Sequence, residues 1–481
     1  MGTRDFITPA DPEYGWTDEK IAFAVMRSSY VPDMAALIPK RGPSDAGRPN
    51  LYPDHVYILY MGLVPRAFRS LRRAAAWMGD PMTWYRIRSH ARRNWDIELP
   101  DLPPARTTLY YNFNRLTKYG EQLREAFALL AIKQAQEQDC LVEGPDTEVK
   151  PERRNTVVAD GTVPKPRFLK KTYERLLSEG KVSEIPTRHI EGGEPDGEED
   201  WDLADSDEPT DGNETDAPRR KKPNWVYGNK EFVMSIRPDD HPNSYLVLGC
   251  FGVPVQGYGG EAGIAVDRFK KLRGVTSGFR GVRYDGAFRG THIDAVMKAG
   301  ISPIAPVPKN DIRRFHIEVT CKCSIPHKLF TEGGDIVELE ILDDGTGHPQ
   351  PCSRLKQYTR KNANGTYRWY ADIQLSCGCK HSERLDCMDE DARNRTQLIR
   401  LHPPESDEYK NTYGWRAHIE SVNNTLDTSL YRHRMIVDTR ERQALIMIGF
   451  AIGSNAISAA VHAARLKAGH FADPPDQAKA A

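Results

Sequence analysis

Apolar residues at helical intervals dominate the first third of the chain, and alternating or continuous β-prone runs dominate the middle. Residues 1–50 are irregular in pattern apart from one helix near Asp18–Arg27. From His55 to Trp95 the apolar spacing is helical. Within it, 66–77, then Met78-Gly79-Asp80, then 81–91 has the shape of helix, tight turn, helix. Gly79 supplies the turn, and Pro81 suits a first helical position because its missing N–H costs nothing there. A further helix follows the Pro103-Pro104 break and runs with interruptions to Gln138. Residues 1–150 therefore read as an all-helical region.

The pattern changes at Asn155. Strand 156–160, helix 167–178, strands 225–236 and 244–255, helix 261–272, strand 278–284, helix 291–299 and strand 301–306 follow in order. Three strands precede a helix–strand–helix–strand run, which requires a mixed sheet with helices on its faces. An insertion over 186–222 interrupts this order. It contains Glu194-Pro195-Asp196-Gly197-Glu198-Glu199-Asp200 and too few apolar residues to bury, so it is expected to be disordered. Residues 311–410 form a separate β-rich insertion, with the clearest strands at 337–342 and 367–375. The sheet-bearing unit resumes over 411–465, and 466–481 reads as a flexible tail. The apolar run 446–460 is too short for a membrane span and reads as a packed helix. The class is mixed α+β.

Composition changes this picture in two places. Lys+Arg and Asp+Glu are both 67, so net charge excludes nothing, but the distribution is uneven. Arg66, Arg69, Arg72, Arg73, Arg86, Arg88, Arg92 and Arg93 lie within one helical stretch, opposed there only by Asp80. Such a stretch suits a phosphate backbone, with Arg72, Arg73, Arg92 and Arg93 as the chief contacts; the competing reading is a solvated helix face. The eight cysteines are bunched, six of them within 311–410. No secretion signal is recognisable, so the cluster points to metal in a reducing compartment rather than to a disulfide framework.

Three acidic residues stand at element ends or on an element start. Asp160 follows Thr156-Val157-Val158-Ala159, Asp285 follows the strand ending at Tyr284, and Glu420 lies early in a helix after Tyr413-Gly414-Trp415. If the two strands are neighbours, their carboxyl ends lie side by side, and a helix packed across them brings Glu420 to the same place. Converging carboxylates repel one another unless a cation neutralises them. Two Mg²⁺ or Mn²⁺ ions are the expected occupants, suited to phosphodiester chemistry. Thr162 reads as an ordinary turn hydroxyl. Gly257-Tyr258-Gly259-Gly260 lacks the lysine and spacing of a phosphate loop and reads as a strand-to-helix turn.

The element order and the Asp160, Asp285, Glu420 set resemble the ribonuclease H-like catalytic domain of DDE transposases. The likeness is greatest to bacterial insertion-sequence transposases with the signature Tyr-x2-Arg-x3-Glu-x6-Lys. Tyr413, Arg416 and Glu420 match that spacing, and Asp427 replaces the final lysine. The resemblance implies two-metal cleavage and joining of transposon ends, with double-stranded DNA, both end and target, as partner. It implies that Tyr413 and Arg416 contact DNA near the scissile strand, and that Arg432 or Arg434 takes over the phosphate contact of the missing lysine. It further implies a homodimer on DNA and a cytoplasmic location at the bacterial nucleoid, with no membrane partner. A nuclease on the same fold that does not join strands, or a domesticated DNA-binding protein without chemistry, are the competing readings.

The cysteine segment carries its own expectation. Cys321, Cys323, Cys377 and Cys379 are the expected tetrahedral ligands of one structural Zn²⁺, with Cys352 and Cys387 as alternates. Reduced cysteines buried on adjacent strands are the competing reading. Cys140 and Cys250 stand apart and are expected in the core.

Overall fold

The N-terminal apolar stripes close on one another as helices α1 (Asp18–Arg27), α2 (Tyr30–Ala35), α3 (Asp54–Leu63), α4 (Leu71–Gly79), α5 (Pro81–His90), α6 (Arg106–Leu116) and α7 (Gly120–Glu137). The structure, a computed structural model, describes residues 15–39, 51–190, 225–254, 260–307, 316–341, 347–386 and 395–469. Helix α3 is buried on nearly every side, as its apolar sequence requires. The expected helix 66–77 is not continuous. A π-helical turn spans Val64–Phe68, where Pro65 cannot donate a backbone hydrogen bond, and Arg69 then turns left-handed at φ 54°. Ser70 caps the restart by accepting the Arg73 N–H. Between α4 and α5 the turn is the single residue Asp80, which ends one helix and caps the next by accepting the Thr83 N–H at 2.8 Å.

The middle of the chain contains β1 (Thr156–Thr162), α8 (Lys170–Ser178), β2 (Thr187–Ile190), β3 (Trp225–Gly228), β4 (Glu231–Ile236), β5 (Leu246–Gly252), α9 (Gly260–Val275), β6 (Gly281–Arg283), α10 (Gly290–Lys298) and β7 (Ser302–Ile304). A five-stranded mixed sheet has the order β5-β4-β1-β6-β7. Strand β1 is parallel to β6, β6 is parallel to β7, and β4 pairs antiparallel with both β1 and β5. The expected strand 225–236 is two strands. The first, β3, pairs with β2 outside the main sheet, so the start of the expected acidic insertion is a hairpin stem. The remainder of that insertion lies outside the described residues, as do Gly257, Tyr258 and Gly259.

The β-rich insertion forms two small sheets. Strands β8 (His316–Thr320), β9 (Pro326–Glu332), β10 (Asp335–Ile341) and β11 (Gly347–Pro351) make one; β12 (Ser353–Lys361), β13 (Tyr367–Gln374) and β14 (Lys380–Arg384) make the other. The chain then returns through α11 (Asp407–Tyr413), α12 (Ala417–Thr428) and α13 (Arg440–Lys467). Helix α12 lies against β1 and β4, burying Ile419, Val422 and Leu426, and His418 Nε2 meets Ser235 Oγ of β4 at 2.9 Å.

Helix α13 is longer than its apolar sequence run indicates. It is long and apolar enough to cross a membrane by composition, yet 89% of its most apolar window is buried inside the fold. It packs against α1, α3, α7 and β5, joining the N-terminal helices to the sheet. Asn455, fully buried on α13, accepts the Val247 N–H and donates to the Val247 carbonyl, both at roughly 2.8–2.9 Å. The edge strand β5 thus finds in a helix side chain the pairing that a further strand would supply. The helix also extends through residues 466 and 467, which the sequence pattern assigns to the tail.

Candidate functional site

In the register of β1 and β6, Val158 pairs with Arg283, so Asp160, within β1, and Asp285, in the loop just past the end of β6, each stand two residues beyond that pair. Both carboxylates are largely buried. Burial pushes the Asp160 carboxyl up to about 7, with Asp285 and Glu261 adding to the rise and Arg416 opposing it. Burial likewise raises Asp285, and Glu261 adds to it, while the Ala287 N–H and Arg416 work the other way.

Helix α12 reaches this pair through side chains at helical spacing. Asn423 Nδ2 donates to Asp160 Oδ2 at 3.2 Å, and Arg416 Nη2 lies 3.6 Å from Asp160 Oδ1. Arg416 Nη1 donates to Glu420 Oε1 at 3.2 Å. The Arg416 guanidinium therefore bridges Asp160 and Glu420. Glu420 is on the same side as the pair but remains exposed, with 65% of its side chain accessible. Among the described residues, the group of Cys, His, Asp or Glu whose ligand atoms all lie within 4.8 Å is the cysteine quartet; the three carboxylates are more widely spaced than that. Their chemistry nevertheless fits a hard divalent ion. Asp285 raises the proton affinity of Asp160, Glu261 raises that of both, and Asn423 Oδ1, in the amide that touches Asp160, is buried without a partner.

Two participants escape the sequence reading. Asn423 lies three residues after Glu420, one helical turn along the same face, and that spacing was its available signal. Glu261 opens α9 and is buried; Lys230 Nζ lies 2.7 Å from its carboxylate and the Tyr284 hydroxyl donates to it. Its carboxylate occupies the space beside Gly161, where an added Cβ would collide with Glu261 Oε2. Glycine next to Asp160 thus leaves the room that the Glu261 carboxylate fills. Thr162, expected in a turn, is still within β1.

The expected DNA contacts divide. Tyr413 stacks on Tyr409 with ring centroids 4.9 Å apart and is half-buried. Asp427, at the position of the signature lysine, meets His433 Nδ1 at 2.6 Å. Arg434 Nη1 donates to the Pro166 carbonyl, and Arg432 lies over the Tyr431 ring at 5.5 Å. In the N-terminal block Arg73 pairs with Asp18 at 3.2 Å, Arg92 pairs bidentately with Glu98, and Arg93 donates to the Ser89 carbonyl. Acidic residues from outside the arginine-rich stretch answer Arg73 and Arg92, which a count confined to that stretch could not register. Arg72 lines an open groove.

At the insertion, Cys321, Cys323, Cys377 and Cys379 converge as a group able to hold a metal ion. The first two lie in the turn between β8 and β9, where Ser324 is left-handed; the second two lie between β13 and β14 around left-handed Gly378. Cys377 Sγ and Cys321 Sγ are 3.5 Å apart, and Cys379 Sγ and Cys323 Sγ 3.7 Å. Behind them His327 Nε2 approaches Cys321 Sγ at 3.3 Å, and His327 Nδ1 meets Glu338 Oε1 at 2.5 Å. Glu338 also accepts hydrogen bonds from Ser376 N–H and Oγ, at 2.8 and 2.7 Å. A hydrogen bond from Cys323, and then one from His327, pull the Cys321 thiol down to about 5 against its partial desolvation. A thiolate of this kind is the form that binds metal. Cys352, the alternate, does not join the converging group; it is buried in the core, where burial raises its thiol to about 12. Cys387 lies outside the described residues. Cys140 and Cys250 are buried core residues.

Compared with known proteins, this chain matches no family model, no curated sequence and no solved structure.

Proposed function

We propose that this chain is a metal-dependent DDE transposase built on a ribonuclease H-like sheet, cutting and joining DNA ends. The observation that carries the reading is the parallel register of β1 and β6, which sets Asp160 of β1 beside Asp285 just past the end of β6, with the helix bearing Arg416, Glu420 and Asn423 laid across them. The strand order, with β1 central between an antiparallel pair on one side and a parallel pair on the other, supports the fold assignment. In this reading Asp160, Asp285, Glu420 and the Asn423 carbonyl oxygen would hold two Mg²⁺ ions. Bound there, the ions would activate a water or a 3′-hydroxyl and stabilise the leaving oxygen. Arg416 supplies a positive charge between Asp160 and Glu420, placed to meet a phosphate oxygen of DNA held at the site. Zn²⁺ in the cysteine quartet has a structural role, since four thiolates leave no open coordination position.

The test is cleavage of end-labelled duplex DNA with Mg²⁺ or Mn²⁺, followed by a search for joined products. Asp160→Asn, Asp285→Asn and Glu420→Gln should each reduce cleavage by more than about a hundredfold, since even indirect supports of metal ligands cost 10–100-fold. Cleavage by Glu420→Gln at the wild-type rate would sink the assignment. Cleavage without any joined product would leave a nuclease as the activity.

A further inference from the structure

An open groove of about 1060 Å³ lies between the N-terminal helices and the turn that follows α12. Its charge is one-sided. Arg69, Arg72, Arg106, Arg167, Arg432 and Arg434 line it, and no acidic residue does. Of these, Arg69 has a distant carboxylate, Asp18, at 4.0 Å; among the described residues no carboxylate pairs with the other five. That distinguishes the groove from the exposed arginines of the same helices, Arg73 and Arg92, which are neutralised within the protein. Six guanidinium groups with almost no internal counter-charge repel one another, and a polyanion relieves that repulsion.

The lining also carries flat hydrophobic faces. Tyr111 is 62% exposed, Tyr431 55% and Tyr110 39%, although large aromatic side chains normally bury their rings. Arginine planes lie over aromatic rings at the edges: Arg432 over Tyr431 at 5.5 Å and Arg167 over Phe168 at 4.9 Å. The Tyr431 turn is held in place at a cost. Arg432 and His433 are consecutive left-handed residues at φ 53° and 60°, a conformation side-chain-bearing residues seldom adopt. A bridge between Tyr431 and Arg434 and the Asp427–His433 contact maintain it. Strain retained in a turn that presents Tyr431 and Arg432 to an open groove is consistent with a binding role.

We infer that this groove binds a short run of unpaired nucleotides, single-stranded DNA, with arginines on the phosphates and Tyr110, Tyr111 and Tyr431 stacked on bases. The juxtaposition selects a single strand over a duplex. In a duplex the base faces are covered by their neighbours, so exposed rings would gain no contact, whereas unpaired bases stack on tyrosine and arginine irrespective of sequence. The groove adjoins a second cavity that Arg434 and Phe168 also line, and the wall of that cavity includes Asn423, the residue bonded to Asp160. A strand opened near the carboxylates would therefore pass into the groove. This last placement rests on the proposed phosphodiester chemistry; the binding itself does not.

Fluorescence anisotropy in EDTA, without divalent metal, tests the binding separately from any cleavage. The probes are a labelled oligothymidylate, the same length of oligouridylate and a matched duplex DNA. The wild-type protein should bind oligothymidylate more tightly than the duplex. Tyr111→Ala with Tyr431→Ala should weaken oligothymidylate binding by at least about fivefold, the lower end for lost base stacking, and leave duplex binding unchanged. Arg72→Ala with Arg432→Ala should flatten the salt dependence by roughly 0.7 log–log units per lost contact. Melting temperatures near wild type establish that the variants fold; Tyr111→Phe, which keeps the ring, should restore binding if Tyr111→Ala alone weakens it. Equal affinity for duplex and single strand, tighter binding of oligouridylate than of oligothymidylate, or wild-type affinity in the folded tyrosine variant would each overturn the inference.

Discussion

At the residue scale, Asp160 is a carboxylate that folding makes hard to ionise. Its folded value of about 7 lies well above its ordinary 3.8, because burial, Asp285 and Glu261 outweigh Arg416. The unfolded chain therefore loses this proton first as pH rises. Stability from this group is fully present below about pH 4 and declines by about 1.4 kcal/mol per pH unit until the folded group also ionises near 7. In metal-free protein the Asp160→Asn variant should lose this component, so its melting temperature should fall less steeply between pH 5 and 7 than that of wild type. Mg²⁺ at pH 7.5 should raise the wild-type melting temperature and leave Asp160→Asn unmoved, because binding only to the folded state stabilises by mass action. An equal Mg²⁺ shift in both proteins would place the ion elsewhere. At the cysteine quartet, protein purified without added metal should contain about one zinc per chain. Cys377→Ser with Cys379→Ser should lose it and loosen the two knuckle turns, seen as faster amide exchange in β8, β9, β13 and β14.

At the element scale, sequence periodicity located helices and strands well and their ends less well. The helix–turn–helix shape at 66–91 was legible in Gly79, Pro81 and the apolar spacing. The break at Arg69 was not, because it arises from how Pro65 and the buried wall of α3 force the preceding turn. The edge of the sheet is a second case. Asn455 reads as one polar residue in an apolar helix, yet it satisfies both backbone groups of Val247. Asn455→Leu should leave a buried N–H and C=O unpaired and lower stability by about 2–4 kcal/mol, measured by urea unfolding. A loss below about 0.5 kcal/mol would mean that β5 repairs its pairing locally. Asn423 shows what element geometry adds to a motif: a residue of unremarkable type becomes part of the site because α12 crosses β1.

At the scale of the whole molecule, the boundary near residue 150 is a change in composition and not a line of weak contact. Helix α13 lies against α1, α3 and α7 on one side and β5 on the other. Arg124 of α7 pairs with Glu231 of β4 at 2.9 Å, with both side chains buried. Glu231→Gln should leave buried Arg124 with only the exposed Glu121 carboxylate, 3.2 Å from its Nη1, as counter-charge and cost about 3 kcal/mol. Residues 1–150 produced alone should lose the cover of α13 and Glu231, the buried counter-ion of Arg124. They should show helical far-ultraviolet circular dichroism without the near-ultraviolet signal of fixed aromatic packing. A sharp cooperative melt of that fragment would show that the helical block is an independent domain.

The sequence by itself determined the classes of element, the helical character of the first block, the position of both aspartates after apolar runs, and the residue types of the cysteine group. These depend on local periodicity, on turn chemistry and on ligand type, which are properties of short segments. Only the tertiary structure decided what those segments meet. It set Asp160 beside Asp285 through strand order, put the Arg416 guanidinium between Asp160 and Glu420, and brought Glu261 against Gly161. It also selected Cys321, Cys323, Cys377 and Cys379 over Cys352, and divided the basic residues into arginines paired within the fold and arginines left facing a groove. The physical reason is the same in each case: charge, burial and coordination depend on distances between residues far apart in the chain, and those distances exist only after the sheet, α12 and α13 have packed.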